Sequence, residues 1–161
     1  MAESWFLKID GIPGESTDVS HKDEVDVLSW TWGVARAGGT GTGTGAGAGK
    51  ASFQDFQFVA RISKASPVLF LSCATGTHIK EALLSGVRTA AKSKSADFLK
   101  YKLSDVTITS VQQGGSEGGD TVDQFSLNYS KIEVSYTPQS ASGKVGTPIQ
   151  AGFDAKTNKK L

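Results

Sequence analysis

Few side chains in this sequence could carry out a reaction. Cys73 is the single cysteine, and His21 and His78 are the two histidines. A catalytic thiol needs an activating neighbour and some exposure. Cys73 instead follows Ser72 in an apolar run, and His78 lies beyond the glycine that would stop a helix there. It therefore reads as a small buried hydrophobe. One cysteine excludes an intrachain disulfide and a multi-cysteine metal site, and two histidines are too few for a histidine-rich one. The stretch ending Gly49-Lys50-Ala51 has the outline of a phosphate-binding loop. That motif requires a glycine, four residues, then Gly-Lys-Ser/Thr. Here Thr44 stands at the first glycine position and Ala51 at the hydroxyl position. The acidic pairs Asp23/Glu24 and Asp120/Asp123 read as solvated loop charge rather than a glycosidase pair, which must sit over a cleft. Trp5, Trp30 and Trp32 could line a sugar-binding surface, but alternation sets Trp30 and Trp32 beside Leu28 and Val34, as core aromatics. Lys156, Lys159 and Lys160 form a short basic end. No activated nucleophile, metal cluster or cofactor loop emerges, so the expectation is a protein without catalytic activity and without a cofactor.

The composition is that of an ordinary soluble domain. The chain has 161 residues, with 17 basic side chains against 16 acidic ones. That length is one domain's worth, and it suffices to bury a real core. Near-neutral charge supplies no general electrostatic reason to bind nucleic acid or an anionic membrane. The start Met1-Ala2-Glu3-Ser4 lacks the basic and apolar regions of a secretory signal. The longest apolar run, Val68 to Leu71, is too short to span a bilayer. The expectation is a chain made in a reducing cytoplasm. Glycine is the outlier, at 19 residues against four prolines, and reads as loop and turn material.

The elements that would position any site are mainly strands. Trp5, Leu7 and Ile9 alternate with Phe6, Lys8 and Asp10, a period of two. Gly11-Ile12-Pro13-Gly14 is turn chemistry, and residues 15–26 form a polar connection with His21-Lys22-Asp23 at its tip. In residues 25–34, Leu28, Trp30, Trp32 and Val34 share one face, with Val25, Val27, Ser29 and Thr31 on the other. These β-branched and aromatic residues predict a strand. Residues 38–49 are a low-complexity stretch with too little apolar area to offset ordering, which predicts mobility. Phe56, Phe58, Ala60 and Ile62 alternate again, with Gln57 and Arg61 opposite. Ser66-Pro67 reads as an N-cap and first helical residue, opening a helix that Gly76 stops. Ile79, Leu83 and Val87 have helical spacing. Residues 98–111 read as a strand whose phase slips near Ser104-Asp105, and residues 122–136 as strand with a second slip near Ser130-Lys131. The end, 144–161, reads as a tail anchored by Ile149 and Phe153. Consecutive strands joined by loops imply antiparallel pairing and closure into a barrel or sandwich.

One longer pattern is more specific than these parts. Phe6-Leu7-Lys8-Ile9-Asp10-Gly11-Ile12-Pro13-Gly14-Glu15-Ser16, followed by His21-Lys22-Asp23-Glu24-Val25-Asp26-Val27-Leu28-Ser29-Trp30-Thr31-Trp32-Gly33, resembles the Hcp (haemolysin-coregulated protein) family. The likeness continues through Phe53-Gln54-Asp55-Phe56, Ser66-Pro67-Val68-Leu69, Cys73-Ala74-Thr75-Gly76-Thr77-His78, Leu103-Ser104-Asp105-Val106 and the strand from Val122 to Tyr136. It covers nearly the whole chain, in order.

The resemblance implies a single antiparallel β-barrel domain of two sheets over residues 1–161, with one short helix on its side. It makes residues 79–91 a strand, against their helical spacing. It implies homohexameric rings stacked into the inner tube of a type VI secretion system. The expected partners are further copies of the chain and the sheath, spike and effector proteins of the machine, with no nucleic acid and no membrane insertion. Export would follow synthesis in the bacterial cytoplasm. Ser29 and Thr31, small and polar, are then expected to face the lumen and its cargo. Gly38-Gly39-Thr40-Gly41-Thr42-Gly43-Thr44-Gly45-Ala46-Gly47-Ala48-Gly49-Lys50 is expected to lie between rings. Two other readings stay open at this point: a tube protein of a related phage-like contractile particle, and a secreted ligand-binding β module.

Overall fold

A computed structural model describes residues 2–37, 49–88, 96–139 and 145–161. The strands are β1 (Glu3–Ile9), β2 (Val25–Thr31), β3 (Val34–Ala35), β4 (Ser52–Phe53), β5 (Phe56–Arg61), β6 (His78–Arg88), β7 (Ala96–Gly114), β8 (Val122–Asn128), β9 (Lys131–Tyr136), β10 (Ile149–Asp154) and β11 (Lys159–Lys160). One helix, α1 (Ala65–Thr75), stands between β5 and β6. The large sheet runs β11-β10-β9-β7-β6-β1-β2-β5-β8, and a further β7–β8 pairing closes six of its strands into an antiparallel barrel. Strand β7 is 19 residues long. Its first half pairs with β9 and its second half with β8. Residues β9 to β11 extend the sheet beyond the barrel, and β3 and β4 form a separate hairpin.

The barrel is filled by one apolar core. Leu7, Val25, Phe56, Phe58, Leu84, Val106, Phe125 and Leu127 are all buried in it. Alternation along β5 and β8 places these rings and branched chains inward, as the period-two pattern predicts. Residues 78–88 form a strand, as the resemblance implies, and not the helix their spacing suggests. The reason is pairing: β6 is hydrogen-bonded to β1 along one edge and to β7 along the other, and Leu84 to Val87 are buried at every position, which blurs the alternation. Gly86 is required there, because a Cβ would overlap the Trp5 ring.

Local chemistry corrects several expectations. A register shift between Val27 and Ser29 breaks the regular alternation of β2. Val25 and Val27 point into the core, while Leu28 and Ser29 are both exposed, so Leu28 does not share a face with Trp30. Trp30 and Trp32 do pack against the core. Ser66 is not the N-cap: the cap is Lys64, with no side-chain bond. The Ser66 hydroxyl instead accepts the Ser63 amide at 2.9 Å and donates to Asp123. At the other end Gly76, with φ 66°, stops α1 as expected, and the Gly76 and Thr77 amides satisfy the Cys73 and Ser72 carbonyls. Cys73 is half-buried, not fully buried.

The phase slip at Ser104-Asp105 is present, with Asp105 at φ 53°. The break near Ser130 separates β8 from β9. The segment expected as a tail is ordered sheet: β10 pairs with β9 and β11 folds back on β10. Asp154 makes that turn by accepting the Lys156 and Thr157 amides at 2.9 and 3.0 Å. Phe153 does anchor the segment, stacked on Phe53 at 5.4 Å, whereas Ile149 is exposed.

Candidate interaction surface

The barrel wall formed by β2, β5, β8 and the second half of β7 has two distinct sides. Its inner side carries the aromatic core. Its outer side carries two rows of uncharged residues, all polar except Val59, that the register aligns across four strands. Thr31 opposes Gln57, Gln57 opposes Ser126, and Ser126 opposes Ser110. In the next row Ser29 opposes Val59, Val59 opposes Gln124, and Gln124 opposes Gln112. These residues line a groove of about 280 Å³. None of them carries a formal charge. Charge appears only at the ends: Asp55 near Asn128 at one, and the exposed Arg61–Asp120 pair at 3.6 Å at the other.

The hydroxyls of this wall bond to one another. The Ser110 and Ser126 hydroxyls are 2.6 Å apart, and the Ser126 and Thr109 hydroxyls 2.7 Å apart. Thr109 donates to Asp55 at 2.7 Å, and Asn128 donates to the other oxygen of that carboxylate at 3.0 Å. No imidazole stands beside these hydroxyls to act as general base. Among the described residues, no group of three His, Cys, Asp or Glu side chains could hold a metal ion. The arrangement can donate and accept hydrogen bonds. Ser29 and Thr31, singled out from the sequence, both lie on this exposed side.

The four-stranded wall ends in two unpaired backbone edges. Pairing of β2 with β1 stops at Val27, so its stretch to Thr31 has no strand partner on that side among the described residues. Pairing of β7 with β6 stops at Thr107, so among the described residues the stretch to Gly114 is paired only with β8, while α1 packs against β7. Rows of free N–H and C=O groups at an edge are templates for another strand. Apolar surface is also left uncovered at two places. Phe70 and Leu71 are 59% and 57% exposed on α1. A second groove, of about 450 Å³, runs between Trp32, Val34, Phe53, Ile132 and Phe153.

Of the segment 38–50, residues 38–48 lie outside the described residues. Gly49 and Lys50 are described, and Arg36 donates from Nε to the Gly49 carbonyl at 2.8 Å beside the β3–β4 hairpin. Several polar sites were missed in the sequence. Asp123 is not a solvated loop charge: it is 1% exposed and receives Ser66 and the Gln113 amide, the latter at 2.8 Å. Tyr129 donates to the Gln54 carbonyl at 2.8 Å, and burial, with the Asp55 charge, pushes its phenol well above the ordinary range. His21 is not at an exposed tip but is buried against Phe6. Burial also pushes Asp26 up, against the nearby Arg61 charge.

Residues 6–136 match the family described as type VI secretion system effector, Hcp. The chain is 39% identical to protein hcp1 of Pseudomonas aeruginosa over 160 residues, 98% of each chain. The crystal structure of Hcp1 from Salmonella typhimurium is similar with a TM-score of 0.82 at 37% identity, covering 100% of both chains. A structure described as a type six secretion system protein is similar with a TM-score of 0.91 at 29% identity, covering 99% of this chain and 100% of the other.

Proposed function

The chain belongs to the Hcp family of type VI secretion system proteins, and on that ground we propose that it is a tube subunit. Copies close into a hexameric ring, rings stack, and the bore carries effector proteins. The observation that carries this reading is the four-stranded wall with two edges that have no further strand among the described residues and an uncharged outer side. An edge at β2 and an edge at β7, on opposite sides of one wall, are different surfaces. A contact between different surfaces of identical copies is heterologous, and it closes into a ring when the rotation fits. The two uncovered apolar regions, on α1 and beside Phe53, supply further buried area for such contacts.

In this reading the wall of Ser29, Thr31, Gln57, Gln112 and Gln124 faces the bore. Amide and hydroxyl groups offer hydrogen bonds to cargo, and the work of such a wall is geometric. The sheath and spike of the machine are the other partners, and the subunit leaves the cell with the tube. Light scattering after size exclusion tests the ring directly: a ring mass supports the reading, and a monomer at every concentration and salt refutes it. Thr31→Gln tests the bore: rings that persist with cargo retention unchanged would remove Thr31 from the contact.

A further inference from the structure

The buried His21 has no place in the tube reading, and its surroundings ask for a charge. The imidazole is 6% exposed and lies face to face on Phe6, with ring centres 4.8 Å apart and planes within 5°. Nδ1 lies 3.0 and 3.1 Å from the two Glu24 carboxylate oxygens. Nε2 lies 2.8 Å from Asp97 Oδ1. Ionised carboxylates only accept hydrogen bonds, and a neutral imidazole has one N–H. Both contacts can be hydrogen bonds only when the ring carries two protons. In the neutral ring, one nitrogen lone pair would face a carboxylate at hydrogen-bond distance.

We propose that His21 is a proton-operated latch: as an imidazolium it ties the β1–β2 connection to the start of β7, and loss of its proton releases that tie. Glu24 and His21 belong to the connection, whereas Asp97 lies 76 positions away on β7. The connection is already folded on itself by backbone bonds from Gly14 to Asp23, Ser16 to Glu24 and Asp23 to Ser16. A single charged side chain can therefore dock it as a unit. Among the described residues the charged groups around the ring are few. On the connection they are Glu24 and Asp18, whose Oδ1 accepts the His21 amide at 3.2 Å. On β7 they are Asp97 and Lys100, which pairs with the other Asp97 oxygen at 3.3 Å. β1 contributes the uncharged Phe6. Arg88 at the end of β6 is bonded to Glu3 at 3.1 Å and lies 3.9 Å over Phe98.

The balance of effects supports the geometry. Burial pulls the imidazole pKa down, but the hydrogen bonds and charges of Asp97 and Glu24 outweigh it, and the net direction is up from 6.5. A raised folded value means that the stabilisation is complete below the ordinary imidazole range. It is lost as pH rises through the higher folded value. The latch is thus closed in mild acid and opens toward alkaline pH.

The test is hydrogen exchange of the full chain between pH 6 and pH 9, corrected for intrinsic rates, with an NMR titration of the His21 ring. Protection of residues 16–24 should fall by about tenfold or more across that range while β5 stays protected. The ring should titrate above 6.5. In Asp97→Asn the introduced amide can donate to the neutral ring, so docking should persist at pH 9 and the pH dependence should shrink severalfold. His21→Gln should lose protection at pH 6. A ring titrating at or below 6.5, or equal protection at both pH values in the unsubstituted chain, overturns the proposal. So does an Asp97→Asn chain with undiminished pH dependence. The ring titration reports the His21 imidazole itself, whatever the assembly, so the tube reading and the latch can fail separately.

Discussion

Removing the Phe56 side chain should unfold the barrel from its wall outward, while removing the adjacent Gln57 side chain should leave stability almost untouched. Phe56 is fully buried and meets four other rings: Trp30 at 5.6 Å, Trp32 at 6.0 Å, Phe58 at 4.9 Å and Tyr101 at 5.4 Å. Those neighbours come from β2, β5, β7 and the segment after β2, and each is held by its own strand or anchor. They cannot collapse together to fill a vacated ring. The Phe56→Ala cost should therefore lie toward the upper part of the usual range, about 4 kcal/mol. Against a total stability of about 5–15 kcal/mol for a domain, that is a large fraction. Gln57 is the next residue but faces the outer groove, where a truncation typically changes stability by under about 0.5 kcal/mol. Urea unfolding followed by tryptophan emission measures both, since Trp30 and Trp32 sit beside the cavity. Protein concentration must be fixed, because any assembly adds to apparent stability. A Phe56→Ala loss below about 1 kcal/mol, or a Gln57→Ala loss of similar size, would refute the inner and outer assignment of this wall.

Four further outcomes follow from other sites. Gly86→Val should cost about 1–3 kcal/mol and shift Trp5 emission, because the new Cβ has to displace the indole; an unchanged melting temperature would contradict this contact. Asp123→Ala strands the Ser66 hydroxyl and the Gln113 amide, so it should cost about 1–3 kcal/mol in chemical denaturation. The Thr157 amide, helped by that of Lys156, holds the Asp154 carboxyl below its ordinary 3.8, so the β10–β11 turn is secure above that value. The turn should loosen as pH falls through the lower folded value, which amide NMR of Thr157 reads. If copies form the proposed rings and stack through residues 38–50, deleting residues 39–48 should leave rings without tubes, and electron micrographs of full-length tubes from that deletion would end the stacking role proposed for this segment.

How much could be read in advance depended on whether a residue's surroundings were local. Period-two alternation placed Gln57 and Arg61 opposite Phe56 and Phe58, and the same pattern holds in β8 for Gln124 against Phe125. The slip at Asp105 was visible because two apolar phases meet there. The bulge in β2 was not visible, since Leu28 looks like any inward leucine until the Val27–Ser29 shift turns it out. The spacing of Ile79, Leu83 and Val87 suggests a helix because Leu84 to Val87 are all buried, which blurs the alternation that marks a strand. Asp123 and His21 were misread for one reason. Their partners, Ser66 and Asp97, lie 57 and 76 positions away, and no local pattern announces them. Asp154 was hidden differently, as a short polar residue making a turn in what read as a tail.

The long strand β7 explains why these parts behave as one unit. Its first half pairs with β9 and so carries the β9–β11 extension, while its second half pairs with β8 and supplies one edge of the uncharged wall. Asp97, at its beginning, receives His21 from the β1–β2 connection. That connection leads directly into β2, the opposite edge of the same wall. The two edges that a neighbouring copy would meet are therefore tied to each other within one chain, through the closed barrel and through the His21 contact. A change in that contact bears first on the entry to β2, where the register already shifts between Val27 and Ser29. If edge pairing closes the ring, Asp97→Asn and wild-type chains should assemble alike at pH 6. At pH 9 they should differ, with the substituted chain keeping more of its ring mass by light scattering. Equal loss of ring mass in both chains would show that ring closure and the His21 contact are energetically independent.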